Sequence, residues 1–178
     1  MRATRVKEAI KIDGKLDDAA YAEIEAISGL VQNQPTDGEP VSEKTEVWIL
    51  FDDENLYVTC RCSYKNPQTM VFDNMQRDAG NMADFFSISL DTFLDRRNSY
   101  LFIGNPIGGI LDGLTSDERT RNNDWNTVWD YKVGRFEGGW AAEMAIPFKS
   151  LRYGSGRNQT WGVILRRRIV RNADDHSF

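Results

Sequence analysis

The chain has 178 residues, 40% of them hydrophobic and 28% charged, a balance that suits one globular domain and excludes disordered and fibrous classes. Its 22 Lys and Arg against 27 Asp and Glu give a net charge of −5, with basic residues spread along most of the chain, which argues against nucleic acid as a partner. No apolar run approaches the ~20 residues of a membrane-spanning helix, and the N-terminal MRATRVKEAIKIDG lacks the apolar centre of a secretion signal, so direct membrane insertion by this domain is not expected.

Taken in chain order, residues 17–27 (DDAAYAEIEAI) form the one stretch with helical character; from residue 45 onward, strand-like runs alternate with turn clusters. TEVWILF puts Val47, Ile49 and Phe51 on one face, DDEN (52–55) supplies a turn, and LYVTCRC returns as the hairpin partner, carrying Leu56, Val58, Cys60 and Cys62 on one face. A C-x-C pair with no second pair or histidine is a weak metal signal, and successive same-face strand positions bridge poorly, so both thiols are expected free and buried. DFFSISLDTF alternates Phe86, Ile88 and Leu90 with Phe85, Ser87 and Ser89, as a half-buried strand does.

SYLFIGNPIGGILDG predicts a strand, a Gly/Pro turn and a second strand. VWDYKVGRFEGGWAAEMAIPF predicts a hairpin, with Trp129, Tyr131 and Val133 before FEGG and Trp140, Ala142, Met144 and Ile146 after it. WGVILRRRIVR closes the series. In it Arg166 and Arg168 share one face and Arg167, Ile169 and Arg171 the other, and the charge run reads as a solvated or carboxylate-paired strand face rather than a phosphate site. The fold class is all-β, an antiparallel sandwich of jelly-roll type with one short helix near the N-terminus, spanning 1–178 as a single domain.

The single histidine, His176, stands in the tail DDHSF, which argues against a Ser/His/Asp triad or a histidine-based zinc site. Two carboxylates can hydrolyse a glycoside, but acidic residues on all-β domains are usually solvated, and the chain is read as non-catalytic. Loop carboxylates of the kind calcium prefers occur in DDEN (Asp52, Asp53), DTFLD (Asp91, Asp95) and DGLTSDE; the candidate calcium ligands are Asp112, Asp117 and Glu118, against ordinary turn chemistry as the plainer alternative.

Sugar binding needs aromatic faces for stacking and polar side chains for hydroxyl groups, held on a rigid scaffold. NNDWNTVWD (122–130) carries Trp125 among Asn122, Asn123, Asp124 and Asn126, with Arg121 just ahead of it; VFDNMQRDAGNMAD carries Phe72, Met75, Arg77 and Met82. Trp129 begins a core-facing alternation, whereas Trp125 lies outside it and reads either as a ligand platform or as a lid over one sheet edge. Trp48 points away from its inward neighbours; Trp140 and Trp161 continue core-like alternation.

The ordered set IKIDGKLDDAAY, TEVWILFDDENLYVTCRC, RDAGNMADFFSISLDTF, YLFIGNPIGGILDG, DWNTVWD, GGWAAEMAIPFKSLR and WGVILRRRIVR, covering nearly the whole chain, resembles family 9 carbohydrate-binding modules, most closely the type preceding an outer-membrane-type β-barrel region in bacterial proteins of undefined function. The resemblance implies a jelly-roll sandwich, structural calcium in some members, and sugar ends held between two aromatic side chains. It also implies carbohydrate catabolism, a periplasmic or extracellular setting, and a parent chain whose barrel is a candidate partner. Asn105 matches the asparagine ending the family's F-x-V-N strand and Asp84 the aspartate opening D-x-V-E; the arginine position before the former is Ile103 and the acidic position of the latter is Ser87. Met82 and Met75 stand where the first stacking tryptophan lies in binders, and Phe178 near the second. The expected ligand residues are therefore Trp125, Asn105, Arg77, Asp84, Asn123 and Phe178, with a structural or interaction domain that has lost sugar binding as the alternative.

Overall fold

The computed structural model describes residues 1–71, 75–78, 83–117, 120–172 and 174–177. Twelve strands are present among them: β1 Thr4–Arg5, β2 Val31–Gln34, β3 Thr45–Phe51, β4 Asn55–Ser63, β5 Phe85–Asp91, β6 Ser99–Gly104, β7 Ile110–Ser116, β8 Thr120–Asn122, β9 Asp130–Phe136, β10 Gly139–Pro147, β11 Gly162–Ile169 and β12 Asp174–Ser177. They make a five-stranded sheet, β1-β3-β4-β10-β9, and a seven-stranded sheet, β2-β12-β11-β5-β6-β7-β8, all antiparallel except the short β1–β3 pair.

The two sheets face each other across one apolar layer. Alternation supplies it: Val47 and Ile49 from β3, Leu56, Val58, Cys60 and Cys62 from β4, Ala142, Met144 and Ile146 from β10, Phe86, Ile88 and Leu90 from β5, and Leu165 and Ile169 from β11. Trp140 is fully buried and Trp129 nearly so, and each such large side chain contributes roughly 2–3 kcal/mol by leaving water. Both cysteines are free and buried, and burial pushes the Cys60 thiol well above its ordinary range.

The helix is shorter than expected. Only Ala19–Glu23 (α1) is helical, and Ile24 is already extended. The chain beyond it is claimed by strand pairing: Ile27 and Val47 exchange two backbone hydrogen bonds of 2.7 and 2.9 Å. Together α1 and the N-terminal segment cover the outer face of the five-stranded sheet, where Trp48, Leu50 and Tyr57 form a second apolar layer with Val6 and Ile10. Trp48 points away from the main core, as read from the sequence, yet is buried; its indole N–H donates to the Ile24 carbonyl at 2.9 Å and its ring meets Tyr21 edge-on.

One carboxylate anchors that layer. Glu143 of β10, buried, accepts hydrogen bonds from the backbone N–H groups of Asp13 (2.9 Å) and Gly14 (2.8 Å) and from the Tyr21 hydroxyl (2.8 Å). Burial raises its pKa despite these donors. Gly14 adopts φ +85°, and its carbonyl oxygen lies where a Cβ on Gly134 would stand, 2.1 Å away, so two glycines let the N-terminal segment lie directly on β9.

Arg167 is the least expected core residue. It lies on the inner face of β11, fully buried, and ties the two sheets together: its guanidinium donates to the Lys44 carbonyl (2.9 Å), the Thr45 hydroxyl (2.9 Å) and the Ser63 carbonyl (2.8 Å) at the facing ends of β3 and β4, and stacks on Tyr64 at 4.6 Å. The charge run is therefore split, with Arg166 and Arg168 outward as expected and Arg167 structural.

Candidate functional site

Two places bring candidate residues together. The first is the loop 122–130 at the open edge of the sandwich. Asp112, on the inner face of β7 and fully buried, accepts from the Arg77 guanidinium at 2.5 Å with one oxygen and from the Thr127 N–H at 2.6 Å with the other. Arg77 continues to the Asn126 side chain (3.1 Å) and the Thr127 carbonyl (3.1 Å). Arg77 and Asp112 thus act as one clamp that fixes the loop carrying Trp125, a charge-assisted pair with one exposed and one buried partner.

Held this way, Trp125 packs its ring on Tyr100 (centroids 5.3 Å apart) and edge-on to Phe102 (6.3 Å), while Phe102 meets Trp129 at 5.2 Å. Trp129 belongs to the core, as the alternation predicts; Trp125 is half-buried and lines a cleft of about 350 Å³ with Tyr100, Leu114, Lys149, Ser150, Leu151 and Arg152. The cleft's far wall is positioned by two bonds: the Ser150 hydroxyl donates to the Val128 carbonyl (2.9 Å), and the Arg152 N–H donates to the Tyr100 hydroxyl (3.0 Å). The Lys149 and Arg152 side chains are exposed and make no hydrogen bond or ion pair with the described residues. A partly open indole and phenol beside two cations and a hydroxyl can hold a planar or ring-shaped polar ligand. Tyr100, Lys149, Ser150 and Arg152 were missed in the sequence, because nothing in IPFKSLR signals that it folds back against residue 125.

The second place is the outer face of the seven-stranded sheet. Strand pairing aligns Ser177, Arg166, Ser87, Ile103 and Leu111 in one row across β12, β11, β5, β6 and β7. Ser87 and Ile103, the positions matched above to the acid and the arginine that the resemblance implies, are thus direct cross-strand neighbours. Ile103 joins Phe85, Leu111 and Leu101 in a small buried apolar cluster. Arg166 reaches diagonally to Asp175, Nε to its two oxygens at 2.7 and 2.9 Å, and lies over the Phe85 ring at 5.6 Å. That hydrogen bond raises the Arg166 pKa further.

Two of the remaining candidates, Asp84 and Asn105, hold local structure. Asp84 is buried, accepting from the Tyr64 hydroxyl (2.7 Å), the Val71 N–H (3.3 Å) and the Val170 N–H (2.8 Å). Asn105, also buried, accepts from the N–H groups of Ile107 (3.1 Å) and Gly109 (2.7 Å) and closes the β6–β7 turn. Asn123 is exposed and lies against Gly113, on the outer-face side of β7. Phe178 and Glu118 lie outside the described residues, as do Phe72 and Met82.

The acidic candidates that the structure describes are engaged by the protein's own donors, and Glu118 lies outside the described residues. Both Asp112 oxygens are engaged by Arg77 and Thr127; Asp117 pairs with Arg97 (2.8 Å) in solvent; Asp91 and Asp95 accept backbone N–H groups of their own turn. Among the described residues no group of three His, Cys, Asp or Glu side chains is arranged to hold a metal ion.

The sequence matches no protein-family model and no curated protein. Solved structures do match over almost the whole chain. A family 9 carbohydrate-binding module from Caldicellulosiruptor kristjanssonii in complex with cellotriose superposes with a TM-score of 0.64 at 15% identity, covering 99% of this chain and 82% of its own. A family 9 module from the same organism in complex with glucose gives 0.59 at 17% identity, covering 98% and 84%. A candidate carbohydrate-binding protein from Bacteroides uniformis gives 0.73 at 11% identity, covering 98% and 87%. From end to end, then, this chain is a β-sandwich with the fold of family 9 carbohydrate-binding modules.

Proposed function

We propose that the chain is a non-catalytic carbohydrate-binding module whose cleft beside Trp125 takes a neutral sugar of the glucose or short cellooligosaccharide kind. The observation that carries this is the cleft itself: a half-exposed indole clamped by Arg77–Asp112, facing Lys149, Ser150 and Arg152, on a fold whose solved relatives hold such sugars. The indole and the Tyr100 ring stack on sugar C–H surfaces, and Lys149 and Arg152 donate to hydroxyl oxygens. Two aromatic contacts at about 1 kcal/mol each, with a few solvent-exposed hydrogen bonds, correspond to dissociation constants of roughly millimolar to high micromolar. The setting we favour is periplasmic or extracellular, as part of an outer-membrane-associated parent protein engaged in carbohydrate catabolism.

Titration with glucose and cellotriose, followed by tryptophan fluorescence, tests this. A saturable change that Trp125→Ala abolishes while the protein stays folded supports it; unfolding of that variant, or a flat titration with intact fold, sinks it. A flat titration favours the second reading, an interaction domain contacting its parent barrel, which is supported by Ser87 and Ile103 at the family's polar positions and by the commitment of the Asp84 and Asn105 oxygens to local structure.

A further inference from the structure

The cleft beside Trp125 does not end the aromatic surface at this end of the sandwich. On the segment joining β10 to β11, three more rings meet: Tyr153 lies 6.1 Å from Phe148 and 5.7 Å from Trp161, and Phe148 meets Trp161 edge-on at 6.4 Å. Phe148 and Trp161 are half-buried and pack against the main core. Tyr153 rests against both and is 42% exposed. Closing the end of the sandwich accounts for the first two rings and does not require the third, which stays open to solvent.

The loop that follows Tyr153 is held in shape by one side chain. The Gln159 amide donates to the carbonyls of Gly154 (2.9 Å) and Gly156 (2.8 Å), and the Trp161 indole N–H donates to the Gln159 side-chain oxygen (3.4 Å). A Cβ placed on Gly154, directly after Tyr153, would meet nothing within 4 Å, so the space beside that backbone is open.

The strand registers fix where these rings stand relative to the cleft. Val163, Leu90 and Tyr100 pair in one row across β11, β5 and β6, and Trp161 lies two residues before Val163, facing the same core. Trp161 and Tyr100 are thus two strand spacings apart, roughly 10 Å. Arg152 spans that gap: its N–H donates to the Tyr100 hydroxyl (3.0 Å) in the cleft wall, and its carbonyl accepts from the Thr92 hydroxyl (2.5 Å) just past the end of β5. Both bonds use its backbone, and its side chain stays exposed next to Tyr153. One pyranose ring cannot touch aromatic groups this far apart; two or three linked rings can.

We infer that Tyr153 and Trp161 form a second stacking subsite continuous with the Trp125 cleft, so that the site takes an oligosaccharide chain rather than a single sugar. The inference rests on the cleft reading above and deepens it. One sugar ring stacks on Trp125 and Tyr100, Arg152 donates to hydroxyl groups between the subsites, and a ring further along the chain stacks on Tyr153. Because the bonds of Arg152 and Gln159 order both walls before the ligand arrives, little freedom is lost on binding and the added contact shows as affinity.

The test is calorimetric titration of the intact chain with glucose, cellobiose and cellotriose. The expected result is a rise in affinity from glucose to cellotriose of about fivefold or more, the worth of one aromatic contact. Tyr153→Ala brings cellotriose down to the affinity of glucose with the melting temperature unchanged, Tyr153→Phe keeps the gain, and Trp125→Ala removes binding of all three sugars. Equal wild-type affinity for glucose and cellotriose, or a gain that survives Tyr153→Ala, overturns the second subsite and leaves the cleft standing. No response to any of the sugars, with the fold intact, overturns the cleft reading and this inference with it. The wild type supplies a readout that needs no variant: cellotriose adds a shift of the Trp161 indole N–H resonance to those of the cleft, and glucose does not. The same Trp161 response to both sugars, or none to either while the cleft saturates, overturns the subsite.

Discussion

Replacing Arg167 by Met probes how this sandwich is closed. Methionine keeps much of the apolar stem but removes a buried guanidinium that serves three acceptors on the opposite sheet, the Lys44 and Ser63 carbonyls and the Thr45 hydroxyl. Replacing a buried charge with an apolar side chain can be neutral where its partners leave with it. Here the partners remain, two of them backbone carbonyls that no substitution deletes; the Lys44 carbonyl keeps the Ser63 N–H at 2.9 Å, but each of the three lost bonds to the charged guanidinium costs about 1 kcal/mol or more. The sum is about 3 kcal/mol, which for a domain of this size lowers the melting temperature by roughly 6–12 °C. Urea denaturation is the assay: the midpoint should fall with an unchanged slope, since the area exposed on unfolding hardly alters. A loss below about 1 kcal/mol would refute the view that Arg167 is the tie between sheets.

Glu143→Gln should change the pH dependence of stability. Because burial raises the Glu143 pKa in the folded state, the protein binds that proton more tightly folded than unfolded, and the carboxyl's contribution declines as pH rises from the ordinary value of 4.5 through the raised one. The stability difference between wild type and Glu143→Gln, measured by denaturation from pH 4 to 8, should therefore shift against the wild type over that window; a pH-independent difference would contradict it. Gly134→Ala would press a Cβ to within 2.1 Å of the Gly14 oxygen, so it should cost about 1–3 kcal/mol and speed amide exchange at residues 13 and 14, whereas unchanged exchange would mean that the segment is not seated on β9. Chelation by EDTA should leave the melting temperature unmoved, because the acidic side chains Asp112 and Asp117 are already paired with arginines; a clear drop would reveal a calcium site built from other groups.

The sandwich is legible in the sequence where one face of a strand is buried. Alternation in β3, β4, β5 and β10 picks out the core residues correctly, down to the free thiols at Cys60 and Cys62. It fails for β2, β8 and β12, whose polar residues pair at or near the edges of the seven-stranded sheet and carry no period-2 apolar signal. It also misreads Arg167, since a guanidinium enters a core only when acceptors from distant strands, residues 44, 45 and 63, converge on it, and sequence spacing holds no trace of that convergence. The alternation separates Trp125 from Trp129, and the structure places Trp129 in the core while the Trp125 ring packs over Tyr100 and lines a cleft. Arg77 reads from the sequence as a ligand residue and Asp112 as a calcium residue, yet they are each other's partner, a pairing across 35 positions that composition does not reveal.

The most direct measurement is a titration of isotope-labelled protein with cellotriose, read from backbone amide and indole N–H resonances. The cleft account predicts saturable shifts concentrated at the Trp125 indole and the amides of 124–128 and 149–152, with the resonances of β3 and β4 unmoved. Saturable shifts centred elsewhere, or none up to tens of millimolar sugar with the fold intact, would contradict it.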